Sequence, residues 1–223
     1  MAPADATVGP RVSLRVKVCG ITDREGLGSA LAAGVDAVGF NFHPPSPRFI
    51  SLERAAGLVR LVPRGVATVG VFANRPLAEV AAWMEEGGIQ WAQFHGDERP
   101  DMLAAFPRPW YPVVRPGEGE TRVDAEWTAP AILVDARSRD ALGGTGMLAD
   151  WEAAARLARG GKVILAGGLG PGNLVEAVDS VRPWGVDLNS GVEYSPGRKS
   201  AALLGQAMET LKPWRQTPQE GWL

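Results

Sequence analysis

The sequence predicts an α/β protein, a single (β/α)8 TIM barrel, on three observations. Eight short apolar runs alternate with helix-like stretches along 223 residues. The runs are close to continuously apolar, as strands covered on both faces are. No break in composition divides the chain. Strand–helix alternation implies right-handed crossovers and one parallel sheet, and eight units in a chain of this length favour closure into a barrel.

The strand candidates, in order, are LRVKVC (14–19), DAVGFNF (36–42), ATVGVF (67–72), IQWAQFH (89–95), WYPVVR (110–115), AILVDA (131–136), KVILAG (162–167) and GVDLNS (185–190). Helix signals fall between them. Asp23 precedes REGLGSALAAG, and Gly34 closes it. Ser51 opens LERAAGLVRLV, with Glu53 early and Pro63 past the end. Pro76 begins LAEVAAWMEEG and Gly87 stops it. Asp150 precedes WEAAARLARG, Pro171 starts GNLVEAVDS, and Arg198 to Leu211 forms the last helix. Residues 116–130 leave little room for a helix, so the fifth helix is expected to be short or missing. Residues 1–13 are expected as a flexible N-terminal tail, 14–212 as the barrel and 213–223 as a surface C-terminal tail.

Composition excludes several classes. A net charge of -2 gives no basic field for nucleic acid. No apolar run reaches the ~18 residues of a membrane-spanning helix. The first dozen residues lack the basic and apolar regions of a signal peptide. Cys19 is the only cysteine, which forbids an intrachain disulfide and fits a reducing, cytoplasmic setting. The expected partner is a small molecule, with the chain a monomer or homodimer.

In such barrels the chemistry lies at the carboxyl ends of the strands. Strand one ends at Cys19, with Lys17 two residues back and facing the same way. The competing reading is a buried, inert thiol. Strand six ends at Asp135, a carboxylate costly to bury unless paired or protonated; it suits a general acid, or else orders a loop. Cys19 would need a lowered pKa to act as base. Lys17 either helps with that or pairs with Asp187, since strands one and eight are neighbours. Gly167 and Gly168 after strand seven, with Ser190 and Gly191 after strand eight, suit close approach to a phosphate, and a short helix is expected from Ser190. The GGTG loop (143–146) has the length of a lid. Arg48 sits in a proline-stiffened loop, and its fork suits a carboxylate. Phe40, Phe42 and Phe49 could wall an aromatic group. His95 takes a supporting role in binding, and His43 is read as exposed loop.

Taken together, KVCGIT (17–22), GFNFHPPSPRFIS (39–51), VGVF (69–72), QFHGDE (93–98), LVD (133–135), GGTG with DW (143–151), AGGL (166–169) and GVDLNSGVEYSPGRK (185–199) resemble the phosphoribosylanthranilate isomerase family of tryptophan biosynthesis. The motifs occur in family order over most of the chain. The resemblance implies a (β/α)8 barrel that performs an Amadori rearrangement without metal or organic cofactor. It implies Cys19 as general base and Asp135 as general acid. It also implies Arg48 near the anthranilate carboxylate and backbone groups around Gly167, Gly168, Ser190 and Gly191 on the phosphate. Asp187 and His95 join the substrate-binding set. His43 and Pro44-Pro45 stand where family members often carry an aromatic and a lysine, and Asn189 replaces a frequent serine. A related histidine-pathway isomerase would carry a carboxylate at the Cys19 position. A non-catalytic phosphosugar-binding barrel would need neither Cys19 nor Asp135. A redox-sensing thiol would want a resolving partner.

Overall fold

The computed structural model describes residues 13–115, 129–135, 146–215 and 222–223. Eight parallel strands close in sequence order: β1 (Arg15–Val18), β2 (Ala37–Asn41), β3 (Ala67–Phe72), β4 (Trp91–Phe94), β5 (Trp110–Val114), β6 (Ile132–Asp135), β7 (Val163–Ala166) and β8 (Gly185–Leu188). Closure is made by β1 on β8, where Lys17 stands opposite Asp187. The helices are α1 (Arg24–Ala32), α2 (Leu52–Val59), α3 (Leu77–Gly87), α4 (Pro100–Leu103), α5 (Gly146–Ala158), α6 (Leu174–Val181) and α7 (Ala201–Leu211). The segment that would carry the fifth barrel helix, between β5 and β6, lies outside the described residues, as does most of the GGTG loop. Among the described residues no helix is long and apolar enough to cross a membrane.

Side-chain alternation along each strand divides the core in two. One set, including Val16, Val18, Phe40, Phe42, Val134 and Leu165, faces the helices. The other, including Ala37, Val69, Tyr111, Leu133 and Ile164, fills the barrel. Phe40 and Phe42 therefore do not wall a ligand. Phe42 stacks on Phe72 and meets Trp83 of α3 edge-on, while Phe49 is exposed.

Local signals set the helix starts. The Asp23 carboxylate accepts from the Gly26 N–H at 2.7 Å, and Ser51 and Ser200 cap α2 and α7 in the same way. Three boundaries move from their expected places. Helix α3 ends on Gly88, which takes the left-handed conformation, and Gly87 stays helical. Helix α5 starts at Gly146, ahead of Asp150. Arg198–Lys199 (β10) pairs antiparallel with Glu193–Ser195 (β9), so α7 begins only after Ser200. A Pro196-Gly197 turn, with Gly197 at φ 81°, makes that hairpin possible.

The C-terminal tail is not wholly surface. Trp222 is 4 % exposed and packs edge-on against Trp184 at the amino-terminal floor of the barrel. Ala37, Ala67 and Ala131, all at strand starts, are small enough to admit it. Nearby, Asp36 receives Arg15 at 3.1 Å, the Val16 N–H at 2.7 Å and Arg215.

Candidate active site

Cys19 directly follows β1, and its N–H donates to the Leu188 carbonyl of β8 at 2.8 Å. The thiol is buried, 5 % exposed. Gly20 then turns the chain at φ 74°. A side chain at Gly20 would collide with Arg48 and Asn189, so glycine lets both close in beside Cys19.

Lys17 lies beneath the thiol, fully buried, with Nζ 2.7 Å from Asp187 Oδ2. Of the two readings of Lys17, the pairing with Asp187 across the β1–β8 seam is present. Burial alone would lower the ammonium's pKa; attraction to Asp187, Cys19 and Tyr111, together with the hydrogen bond to Asp187, outweighs it, so the pKa is raised. The other carboxylate oxygen, Asp187 Oδ1, is buried with no hydrogen-bond partner among the described residues. On β2, Gly39 provides the space: a Cβ there would come within 2.8 Å of Cys19 Sγ and 3.1 Å of Lys17 Cε. The sequence reading missed Gly39. Its signal was a glycine inside an otherwise apolar strand, which often marks close approach.

The thiol itself departs from expectation. Burial pushes the Cys19 pKa up, and the Lys17 ammonium beside it offsets only part of that shift. The free protein holds a protonated sulfur at neutral pH.

Across the same mouth, Asp135 closes β6 half-buried, level with Ala166 of β7. Its charge acts on both His95 and Asp187. His95 follows β4, within 3.3 Å of the Gln93 amide, which in turn accepts from the buried Tyr111 hydroxyl. Burial, reinforced by the Arg115 cation, lowers its pKa to about 4, so the ring is neutral at physiological pH. His43 is half-buried, not exposed as expected, because its N–H is tied to Asn41 Oδ1 at 2.9 Å.

Two loops form the rim. After β7, Gly167 and Gly168 take φ 105° and 68°, and Gly168 faces open space. The Asn173 side chain pins this loop, accepting from the Gly170 N–H and donating to the Gly168 carbonyl. After β8, the expected short helix is a single 3-10 turn, Ser190–Val192. A Cβ on Gly191 would fall 2.1 Å from the Leu169 carbonyl, so glycine is what lets the two loops touch. Thr22 Oγ1 donates to the Gly197 carbonyl at 2.6 Å and ties the first loop to the last.

Arg48 lies on the same rim. Ser46 Oγ accepts from its N–H, fixing the loop, and its guanidinium meets Glu193 through Nε at 3.0 Å and Nη2 at 2.6 Å. Lys199 Nζ reaches the same carboxylate at 2.7 Å and Asn189 Oδ1 at 3.0 Å. Sequence reasoning took Arg48 alone; Glu193 and Lys199 were visible only as letters within GVEYSPGRK.

A buried thiol, an ammonium–carboxylate pair and a second carboxylate, ringed by two glycine loops, thus gather at the carboxyl end of a (β/α)8 barrel, the end at which enzymes of this fold carry their active sites. Residues 16–210 match the family described as N-(5'-phosphoribosyl)anthranilate isomerase. An isomerase of that name from Geobacter metallireducens is 43 % identical over 201 residues, which cover 89 % of this chain and 99 % of the relative. The crystal structure of phosphoribosyl anthranilate isomerase from Thermotoga maritima superposes with a TM-score of 0.80 at 31 % identity, over 90 % of this chain and 99 % of that one. Another solved isomerase, in complex with reduced 1-(o-carboxyphenylamino)-1-deoxyribulose 5-phosphate, gives 0.77 at 30 % identity, with 90 % and 99 % covered. The chain belongs to the N-(5'-phosphoribosyl)anthranilate isomerase family, isomerases of tryptophan biosynthesis.

Proposed function

We propose that this chain converts N-(5'-phosphoribosyl)anthranilate to 1-(2-carboxyphenylamino)-1-deoxyribulose 5-phosphate, with Asp135 as general acid and Cys19 as general base. Asp135 protonates the furanose ring oxygen, and the ring opens to a protonated Schiff base. The Cys19 thiol first loses its proton to solvent, and the resulting thiolate takes the C2' proton, giving an enolamine that tautomerises to the ketose. Lys17 favours the thiolate electrostatically, while Asp187 neutralises Lys17 in the resting protein. Backbone groups around Gly167, Gly168, Ser190 and Gly191 hold the phosphate, Arg48 holds the anthranilate carboxylate, and His95 and Asp187 complete the binding set. Anchoring both ends orients the reacting carbons between acid and base.

One observation carries this reading: Cys19 and Asp135, distant in sequence, stand at the ends of β1 and β6 around the same mouth. The test is turnover by Cys19→Ala and Asp135→Asn. Each is expected to lose roughly 10²–10⁴-fold in kcat while still binding the reduced product analogue. Near-native turnover in either variant removes that residue from its role.

A further inference from the structure

The rim guanidinium is only half used. An arginine has two forked edges, each able to grip a carboxylate. Glu193 takes the Nε–Nη2 edge of Arg48, and Nη1 makes no hydrogen bond among the described residues. An internal carboxylate so placed would ordinarily cancel the arginine's charge and repel an incoming anion. Here it does not, because Lys199 shares it. The β9–β10 register puts Lys199 opposite Glu193, and the lysine side chain is fully buried with Nζ on the same carboxylate. Two basic side chains surround one anion beside Gly20 and Cys19, and the pairing with Glu193 offsets part of the downward pull that burial exerts on the Lys199 pKa. Hydrogen bonds from Arg48 and Lys199 outweigh the effect of burial and hold the Glu193 carboxyl below the usual range, so it stays charged.

We infer that Glu193 and Lys199 are positioning residues for the substrate's carboxylate: Glu193 aims the free edge of Arg48 into the mouth, and Lys199 keeps the cluster attractive to an anion. The inference rests on the reading of Arg48 as the carboxylate's holder. It makes the hairpin after β8 a specificity element for the aromatic end of the ligand, alongside a loop that serves the phosphate end.

The test compares inhibition by the reduced product analogue with inhibition by its counterpart lacking the carboxyl group. Glu193→Gln is expected to weaken the carboxylated ligand roughly 10–100-fold, the scale of one charged hydrogen bond, and to leave the decarboxy ligand unchanged. On an Arg48→Ala background the same substitution is expected to add nothing. If Glu193→Gln does not fold, Glu193→Asp, which keeps the charge and shortens the reach, is expected to give the same selective loss. Equal weakening of both ligands, or no weakening while Arg48→Ala weakens the carboxylated one, overturns the inference and leaves the Arg48 reading standing. No effect of Arg48→Ala overturns that reading and this inference with it.

Discussion

The two ends of this barrel are made from the same eight strands and built on opposite principles. At the floor, strand starts carry small apolar residues, Trp222 fills the space above Trp184, and the Asp36 carboxylate is gripped by Arg15, Arg215 and a backbone N–H. At the mouth, strand ends carry Cys19, Asp135 and Asp187, a lysine is buried whole, and a carboxylate oxygen of Asp187 lacks a partner among the described residues. Buried polar groups without partners cost stability. The floor leaves such an atom too, the Trp222 indole N–H among the described residues, but its carboxylate is surrounded by donors. The mouth sets ionisable side chains against one another, with one carboxylate oxygen left over.

Removing one half of the buried pair at the mouth gives the largest expected effect. Lys17→Met leaves Asp187 as an uncompensated buried charge and is expected to cost about 3–5 kcal/mol in urea unfolding. It also withdraws the cation that offsets the upward shift of the thiol. In the parent protein kcat/KM is expected to climb with pH through the alkaline range, because burial has raised the Cys19 pKa. In a doubly substituted Lys17→Met/Asp187→Leu protein, stability is expected to recover while that climb moves to still higher pH and turnover stays low. A double variant with normal turnover would show that the pair serves packing alone.

The floor is expected to behave the other way. Trp222→Ala should cost about 3 kcal/mol of stability, as aromatic truncations in cores do, with kcat of the folded protein unchanged. Trp222→Phe should cost much less, because among the described residues the buried indole N–H has no acceptor that its loss would strand. A fall in kcat with either substitution would mean that the two ends are coupled through the barrel interior.

The smallest effect separates the ends by pH. His95 stays neutral in the folded protein to about pH 4, against an ordinary value of 6.5. Between those values the unfolded chain takes up a proton that the native one refuses. The stabilisation is therefore complete above pH 6.5 and is lost as pH falls toward 4, on the order of 3 kcal/mol at most. His95→Gln should flatten that acid slope in unfolding measured from pH 7 to 4. An unchanged slope would place the acid sensitivity elsewhere.

Much of this division is legible in the letters. The apolar runs set all eight strands, Asp23 and Ser51 marked two helix starts, and Cys19, Asp135 and Asp187 stood out as polar residues closing apolar strands. The misreadings share a cause. Phe42 looks like a wall for an aromatic ligand until strand alternation turns it toward α3. Trp222 looks like surface because nothing local indicates that three alanines, from distant strands, leave room for it. Glu193 looks like an ordinary charge until the hairpin sets it against Lys199 and Arg48.

The sequence by itself determined the barrel, its strand order and the end at which polar and glycine-rich residues gather, since periodicity and the polarity of strand ends are local properties. Only the tertiary structure decided between the two readings of Lys17, by bringing it to 2.7 Å from Asp187, and only it showed that Gly39 makes room for the thiol and that burial raises the thiol's pKa. Those outcomes depend on distances between residues far apart in the chain, and on how much water the packed barrel excludes.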